Sequence, residues 1–435
     1  MVMARIEASD FPTRTDVVVV GGGIIGASTV LSLAEQGVPV VLCEKGRIGA
    51  EQSSRNWGWC RKMGRDPAEI PLAVESLRLW GRMNARTNAE TGFRQRGIVY
   101  LCTNDREAAH YEAWLRQAQA FQIDSRLISS EEIDRLLPGS SRRWTAALYT
   151  PSDGNAEPEL ATSAIADAAQ RAGAVVIEQC AVRGIEMSAG AVSGVVTEKG
   201  ALRCSQVVLA AGAWSSLFCG NLALRFPQLK ILGSVMRTAP VAGAPEPAAG
   251  AGNFAFRKRL DGGYTIAQRN ANIAEIVPDS FRFLGDFLPS LAKQRHEIRI
   301  RVGRRFLAEW KMPRRWALDA VTPFERIRIL DPKPVPSVLA QGRRNLCEAF
   351  PAFRNMRIVE SWAGLIDVTP DAVPVISAVP SIPGFFIASG FSGHGFGIGP
   401  GAGRLMADLV TGATPIVDPT PYRYHRFIKG VRMSL

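Results

Sequence analysis

The sequence is poor in the residues that build metal centres and covalent cross-links. It holds four histidines in 435 residues, His110, His296, His394 and His425. None stands at ligand spacing from another or from a cysteine, so no metal site is expected. Its seven cysteines, Cys43, Cys60, Cys102, Cys180, Cys204, Cys219 and Cys347, are far apart and include no C-x-x-C pair, so they read as reduced thiols and not as a disulfide framework. A membrane-length apolar run is also missing. The longest uncharged stretch, Val17 to Ala34, is broken by Gly21, Gly22 and Gly23, and a strand, a turn and a helix account for it better than a span. Arg5, Glu7, Asp10 and Arg14 interrupt the N-terminal residues where a secretory signal would be apolar, which makes the cytoplasm the expected location.

What is present describes an ordinary soluble globular chain, with 46% hydrophobic and 21% charged residues, long enough for two or three domains. The net charge of +12 is scattered and forms no polybasic tail, so a nucleic-acid partner is not expected. Asp16 to Glu44 reads as strand, helix and strand, with Gly37 ending the helix. Residues Pro71 to Ala89 read as a helix, Arg94 to Leu101 as a strand, and Glu107 to Ala120 as a second helix. Asn155 to Arg171 forms another helix that Gly173 stops. Strands follow at Val175 to Ile177, through Ile185 and Val192 to Thr197, and at Gln206 to Ala210. From Phe226 the pattern loosens, Pro240 to Gly252 is rich in Pro, Ala and Gly, and Asp279 to Leu330 predicts a loop-rich insertion. Phe385 to Ala388 reads as a strand, and Gly401 to Leu409 as a helix entered through a glycine-rich turn.

Gly21, Gly23 and Gly26 match G-x-G-x-x-G between a strand and a helix. The first permits the turn, the second lets a pyrophosphate approach the backbone, and the third lets helix and strand pack, with Ile24 and Ile25 opening the helix. Glu44 ends the next strand, where a carboxylate accepts from ribose hydroxyls. This is a dinucleotide fingerprint that FAD and NAD would both satisfy. Two further segments favour FAD. GAEQSSRN at Gly49 to Asn56 offers Ser53, Ser54 and Arg55 as donors for a pyrophosphate and ribityl chain. SGFSGHGFGIGPGAGRL at Ser389 to Leu405 would aim backbone N–H groups and a helix dipole at a flavin ring.

The fingerprint, EKGRIGAEQSSR, AVRGIE, QVVLAAGAWSS and GFSGHGFGIGPGAG together resemble the D-amino-acid oxidase superfamily of flavoproteins, over nearly the whole chain. Within it, EKGRIGAEQS, TEKGALRCSQVVLAAGAWSSLFCG, KMPRRWALDAVTPFE and VDPTPYRYHRF are most similar to the bacterial L-amino-acid deaminases. The resemblance implies an α/β protein: a discontinuous Rossmann-like FAD-binding domain, an α+β substrate domain on an antiparallel sheet, and an α+β insertion. The boundaries it suggests are 14–90, 151–225 and 355–435 for the FAD-binding parts and 91–150 and 226–354 for the substrate parts, with the insertion at about 275–330. It implies FAD contacts from the residues above and from Lys45, Gln52, Val182, Ala211, Gly212, Trp214, Gly364, Gly395, Phe396, Gly397, Ile398 and Gly399.

The implied reaction moves a hydride from the Cα of an amino acid to flavin N5, and the imino acid hydrolyses to a 2-oxo acid and ammonia. Arg269, in YTIAQR, falls where the deaminases hold the substrate carboxylate, and Arg257 is the substitute. Trp59 replaces a pocket glutamine, His394 replaces a tryptophan, and Leu365 and Ile366 stand for two valines, so the substrate pocket has its own shape. His394 in SGHGF is instead similar to sarcosine oxidases, as catalytic residue or as structure. Gly364 matches the cysteine that attaches their flavin, so FAD here is expected to be non-covalent. A secondary-amine or D-amino-acid substrate is the alternative. The electron acceptor is expected to be oxygen or quinone. The deaminases begin with a transmembrane helix, whereas here the first strand follows directly. The arginines from Arg295 to Arg315, with Trp310 and Trp316, form either a solvated face or a peripheral contact with the inner membrane.

Overall fold

In the computed structural model, residues 11–294 and 298–428 are described. The first charged N-terminal residues, the last seven residues of the C-terminal segment, and Arg295 and His296 of the basic stretch lie outside the described residues.

Four consecutive valines, Val17–Val20, are all buried and form the centre of a six-stranded sheet. A strand covered on both faces needs apolar side chains on both, which is what an unbroken valine run supplies. Its neighbours are Val40–Cys43 and Val175–Ile177 on one side and Gln206–Leu209 and Phe385–Ser389 on the other, all parallel, and antiparallel Val375–Ala378 closes the edge. The sheet is therefore assembled from three separate stretches of chain, a discontinuous Rossmann-like unit.

Helices Ile24–Ala34, Ile70–Gly81, Pro158–Arg171 and Gly395–Thr411 cover one face, and their core includes Leu31, Trp80, Ile165 and Leu405. All eleven residues of Ile24–Ala34 are buried, so its sequence shows no polar stripe. Pro158 starts its helix at a position whose N–H needs no partner. Gly173, at φ +100°, turns the chain just after it ends. The other face carries the antiparallel strands Val182–Ser188, Ala191–Thr197 and Gly200–Arg203, over Phe218, Phe324 and Tyr424.

The second large sheet corrects the expectation that order fades after Phe226. Leu229–Thr238, Ala248–Ala251, Phe254–Lys258, Tyr264–Ala267 and Asn272–Glu275 join Ile98–Cys102, Arg126–Ile128 and Ala146–Thr150. Ala248–Ala251 is a strand although its composition is that of a loop, because small residues let it lie buried between two neighbours. Ile358–Val368 pairs antiparallel with Leu229–Thr238 along ten positions, so this segment belongs to the substrate sheet although its sequence position lies among the nucleotide-binding parts. The insertion is more ordered than its sequence suggests, with helices Pro278–Arg282, Leu284–Gln294, Arg305–Trp310 and Pro323–Arg326. Its strand Ile298–Arg301 extends the sheet in parallel with Asn272–Glu275.

The first and last of the covering helices touch backbone to backbone. A Cβ at Gly403 would lie 2.4 Å from Ser28 Cβ and 2.5 Å from its carbonyl carbon, and one at Gly399 would lie 2.7 Å from Ile24 Cγ1. Gly403→Val should therefore cost at least about 2 kcal/mol and lower the thermal midpoint, with less folded protein recovered. Gly81→Ala, with nothing within 4 Å of the new methyl group, should stabilise by roughly 0.5–1 kcal/mol. Equal melting curves for wild type and Gly403→Val would contradict the packing argument.

Candidate active site

The turn after the first strand is built to let a ligand reach the backbone. Gly21 has φ +109°, and a Cβ there would lie 2.5 Å from the Ala210 carbonyl oxygen. A Cβ on Gly26 would lie 1.9 Å from the Gly21 oxygen, so only glycine allows the helix to start this close to the strand. The N-terminus of that helix opens into a cavity, and the Ile24 N–H donates to Ser53 Oγ at 2.9 Å. Glu44 sits at the strand end across from it, its carboxylate accepting from the N–H groups of Gly22 at 2.7 Å and Gly46 at 2.6 Å. Burial raises Glu44 to about 7, against the pull of those two donors.

The cavity has a volume of about 1510 Å³, above the roughly 300–1,000 Å³ of small-molecule pockets. It runs from Gly21, Gly23, Ile25, Glu44 and Val182, past Gln52, Ala211, Gly212 and Trp214, to Gly364, Ile366, Gly395 and Phe396. That extent suits a dinucleotide with a small molecule at its far end. Gln52 also fixes the wall, its Oε1 accepting from the Asp367 N–H at 3.1 Å. Buried Asp367, which the sequence reading missed, accepts from Gly390 N–H and Gln228 Nε2 and is raised by burial.

Several expected cofactor contacts are otherwise engaged. Ser54 does not line the cavity, and its hydroxyl donates to the Glu51 carbonyl at 3.4 Å. Lys45 and Arg55 do line it, but Lys45 Nζ is bound to Glu51 and to the carbonyls of Ile327 and Arg328. Arg55 pairs with Asp331 and the Ala363 carbonyl. Leu365 faces away, into a cluster with Leu232, Ala271 and Ile273, while Gly364 and Ile366 on either side of it face the cavity. A strand alternates its faces, and Leu365 is a position turned to the side away from the cavity.

The C-terminal glycines are also mostly packing positions. The helix begins at Gly395, six residues earlier than expected, which places Gly397, Ile398 and Gly399 inside it and off the cavity wall. A Cβ on Gly397 would lie 2.9 Å from the Trp59 carbonyl oxygen, and the Gly397 carbonyl accepts from Ser76 Oγ and Trp80 Nε1 at 2.9 Å each.

At the far end, the Arg269 guanidinium lies 4.5 Å above the centroid of the Tyr100 ring, and Trp59 lies against the same ring at 5.8 Å. Gly250 makes room beneath both: a Cβ there would lie 3.2 Å from Trp59 and 3.3 Å from Arg269. Arg269 forms no ion pair among the described residues, whereas Arg257 is fully buried and holds Glu157 through two hydrogen bonds of 2.9 and 2.8 Å. Arg257 is thus part of a structural ion pair, and of the two candidates Arg269 is the one without a carboxylate partner among the described residues.

His394 lines the same end, and its Nδ1 lies 3.0 Å from Glu69 Oε2. Burial, with Arg65 and Arg61 nearby, lowers His394 to about 4 in spite of Glu69. Burial by itself would raise Glu69, but His394, Arg65 and Arg61 outweigh it and hold the carboxyl below its ordinary range. A neutral imidazole beside a carboxylate keeps its proton on Nδ1 and leaves Nε2 as the acceptor. Nothing in the sequence pointed to Glu69, 325 residues away in the chain.

A glycine turn at a helix N-terminus, a buried carboxylate at the end of the next strand and a cavity passing from a parallel sheet to an antiparallel one define a dinucleotide-dependent redox protein. The chain belongs to the family of FAD-dependent oxidoreductases, whose model matches residues 16–409. It is similar to the L-amino acid deaminase of Proteus myxofaciens, solved in complex with anthranilate, with 35% identity, a TM-score of 0.93, and 96% of this chain and 95% of that one covered. The L-amino acid deaminase of Proteus vulgaris gives 33% identity and a TM-score of 0.92, covering 96% of this chain and 98% of that one. The glycine oxidase of Pseudomonas aeruginosa is 28% identical over 416 residues, 93% of this chain and 97% of the relative. FAD is the cofactor, held without a covalent bond as is typical of the family.

The depressed His394 makes a direct prediction: its imidazole stays neutral as pH falls from 8 to about 5. An NMR titration of the histidine ring resonances, assigned with His394→Asn, should show no midpoint for it in that range. A midpoint near 6.5 would mean that the burial argument fails.

Proposed function

We propose that this protein oxidises the Cα–N bond of an α-amino acid. Arg269 carries this reading: it is a cation without a carboxylate partner among the described residues, at the end of the cavity that Gly364 and Ile366 continue toward the nucleotide turn. A guanidinium there binds the substrate carboxylate and sets which face of Cα is presented, and holding reactants in one geometry is the main task of such an enzyme. FAD, when bound, supplies the two-electron acceptor. The amino acid loses two electrons and two protons, and the imino acid takes up water to give a 2-oxo acid and ammonia. Trp59 and Tyr100 wall the substrate end with aromatic surface and exclude water. The Proteus myxofaciens deaminase binds anthranilate, a molecule that carries both an amino group and a carboxylate.

His394, neutral and oriented by Glu69, favours a second reading, in which Nε2 accepts from the nitrogen of a secondary amine or of a D-amino acid. The terminal acceptor is oxygen or a quinone. An anaerobic screen of L-, D- and N-methylated amino acids, followed by loss of the flavin absorbance, separates the two readings. If no compound of either set bleaches the flavin, both are wrong. Arg269→Ala should raise KM for every carboxylated substrate by about 2–4 kcal/mol in free-energy terms, as expected when one member of a buried charge pair is removed. An unchanged KM would take Arg269 out of the site.

The insertion supports a protein that touches the membrane surface. No helix among the described residues is long and apolar enough to cross a membrane. Phe281, Leu288, Ile300, Val302, Leu307 and Trp310, all of the insertion, are each more than half exposed and stand among arginines. Apolar side chains ringed by cations suit an anionic bilayer surface. Sedimentation with anionic vesicles should exceed that with neutral vesicles and fall severalfold in the double variant Val302→Ser, Trp310→Ser. Equal recovery with both vesicle types would remove the membrane contact.

A further inference from the structure

The substrate end of the cavity holds more positive charge than one carboxylate requires. Arg269 and Arg61 share the Tyr100 ring, their guanidinium carbons 4.5 and 5.6 Å from its centroid. Arg65, four residues after Arg61, lines the same space and is 3% exposed. Its Nε donates to the Arg61 carbonyl at 3.3 Å, and its own carbonyl accepts from Trp114 Nε1 at 2.7 Å, so both ends of the residue are anchored. Its Nη1 is buried and meets no protein acceptor among the described residues.

The carboxylates nearby are already occupied. Glu69 accepts from His394 at 3.0 Å, and it also stands near Arg65 and Arg61, which help to lower it. Asp66 is exposed and caps the Ala68 N–H at 2.9 Å. Asp153 accepts from the N–H groups of Lys62 at 2.9 Å and Met63 at 3.2 Å, and lies near Lys62 Nζ. None of these forms an ion pair with Arg61, Arg65 or Arg269 among the described residues. Burial and Arg61 lower Arg65 to about 10, so it remains charged at neutral pH. A buried guanidinium hydrogen without an acceptor is costly, and an incoming anion relieves that cost. A side chain without an acceptor would leave the orphan in place, and a neutral amide would accept from it without offsetting its charge.

Resting on the amino-acid reading above, we propose that the substrate is an acidic α-amino acid. Arg269 holds the α-carboxylate, and the anchored Arg65, with Arg61 beside it, takes the side-chain carboxylate across the face of Tyr100. Aromatic surface sets the spacing between the two anion sites, and the cation excess excludes cationic amino acids.

The test uses two matched pairs on the FAD-loaded protein. Glutamate and glutamine, each as both enantiomers, have nearly the same size and differ in side-chain charge; glutarate and valerate differ likewise and cannot be oxidised at a Cα–N bond. Glutamate should reduce the flavin anaerobically with a second-order constant on the order of 30-fold above that of glutamine, the equivalent of about 2 kcal/mol for a buried charge left unpaired. Glutarate should bind by a similar factor more tightly than valerate, measured by thermal shift. Arg65→Met should bring both ratios close to one. Should that variant not fold, Arg61→Gln, at a half-buried position, is expected to reduce both ratios severalfold. Ratios near one in the wild type, or ratios that survive both substitutions, overturn the second-carboxylate site. If glutarate is preferred while no amino acid reduces the flavin, the dianion site stands and the amino-acid reading falls. If glutamine is oxidised as fast as glutamate, the amino-acid reading stands and the dianion site falls.

Discussion

The contact on which most else depends is the close crossing of helices Ile24–Ala34 and Gly395–Thr411. The first carries the nucleotide turn at its N-terminus, and the second carries His394 and Gly395 at its own. Bare backbone at Gly399 and Gly403 lets the two axes approach until Ile24 and Ser28 fill the space where side chains would stand. This approach brings residues nearly four hundred positions apart into one cavity wall. Glycine lowers helix propensity by up to about 1 kcal/mol per residue relative to alanine, so a helix with five of them gains its stability from burial of its apolar face and not from local preference.

A second constraint is the edge-to-edge run of strands Leu229–Thr238 and Ile358–Val368, ten paired positions long. It ties the substrate sheet to the segment that leads into Gly390 and the C-terminal helix. Asp367 and Gln52 are locked to each other there, and Gly390 and Gln228 complete the buried network. Polar groups fully satisfied within a core rigidify it and fix one arrangement, so the flavin side and the substrate side of the cavity are held in a single relation.

Charge is distributed unevenly along that cavity. The nucleotide end has a carboxylate held by backbone donors, and the far end has two arginines on one tyrosine ring with the buried Arg65 lining the same space. In each case burial sets the direction: it raises Glu44 and lowers His394 and Arg65. Such opposed environments are how a single cleft selects where anions and hydroxyls lie.

Local order in the sequence was enough for the nucleotide unit: four valines, a spaced glycine turn, a helix and Glu44 form a contiguous pattern whose every member interacts within thirty residues. Segments spread over nearly the whole chain carried the family likeness, and the expectation for Arg269 came from it. The substrate sheet was less legible, since Ala248–Ala251 has the composition of a loop and becomes a strand only because two neighbours cover it. The C-terminal glycines read as a turn that aims N–H groups at a flavin ring, and the sequence carries no sign that other segments pack against most of them. Likewise Leu365 and Ile366 looked equivalent until the strand's alternation turned one of them away. What the tertiary structure alone decided is the partnering of distant polar groups: Glu69 with His394, Glu157 with Arg257, and Arg65 with no ion pair among the described residues. Those relations depend on separations of a few ångströms between segments far apart in the chain, and periodicity and composition report only on neighbours.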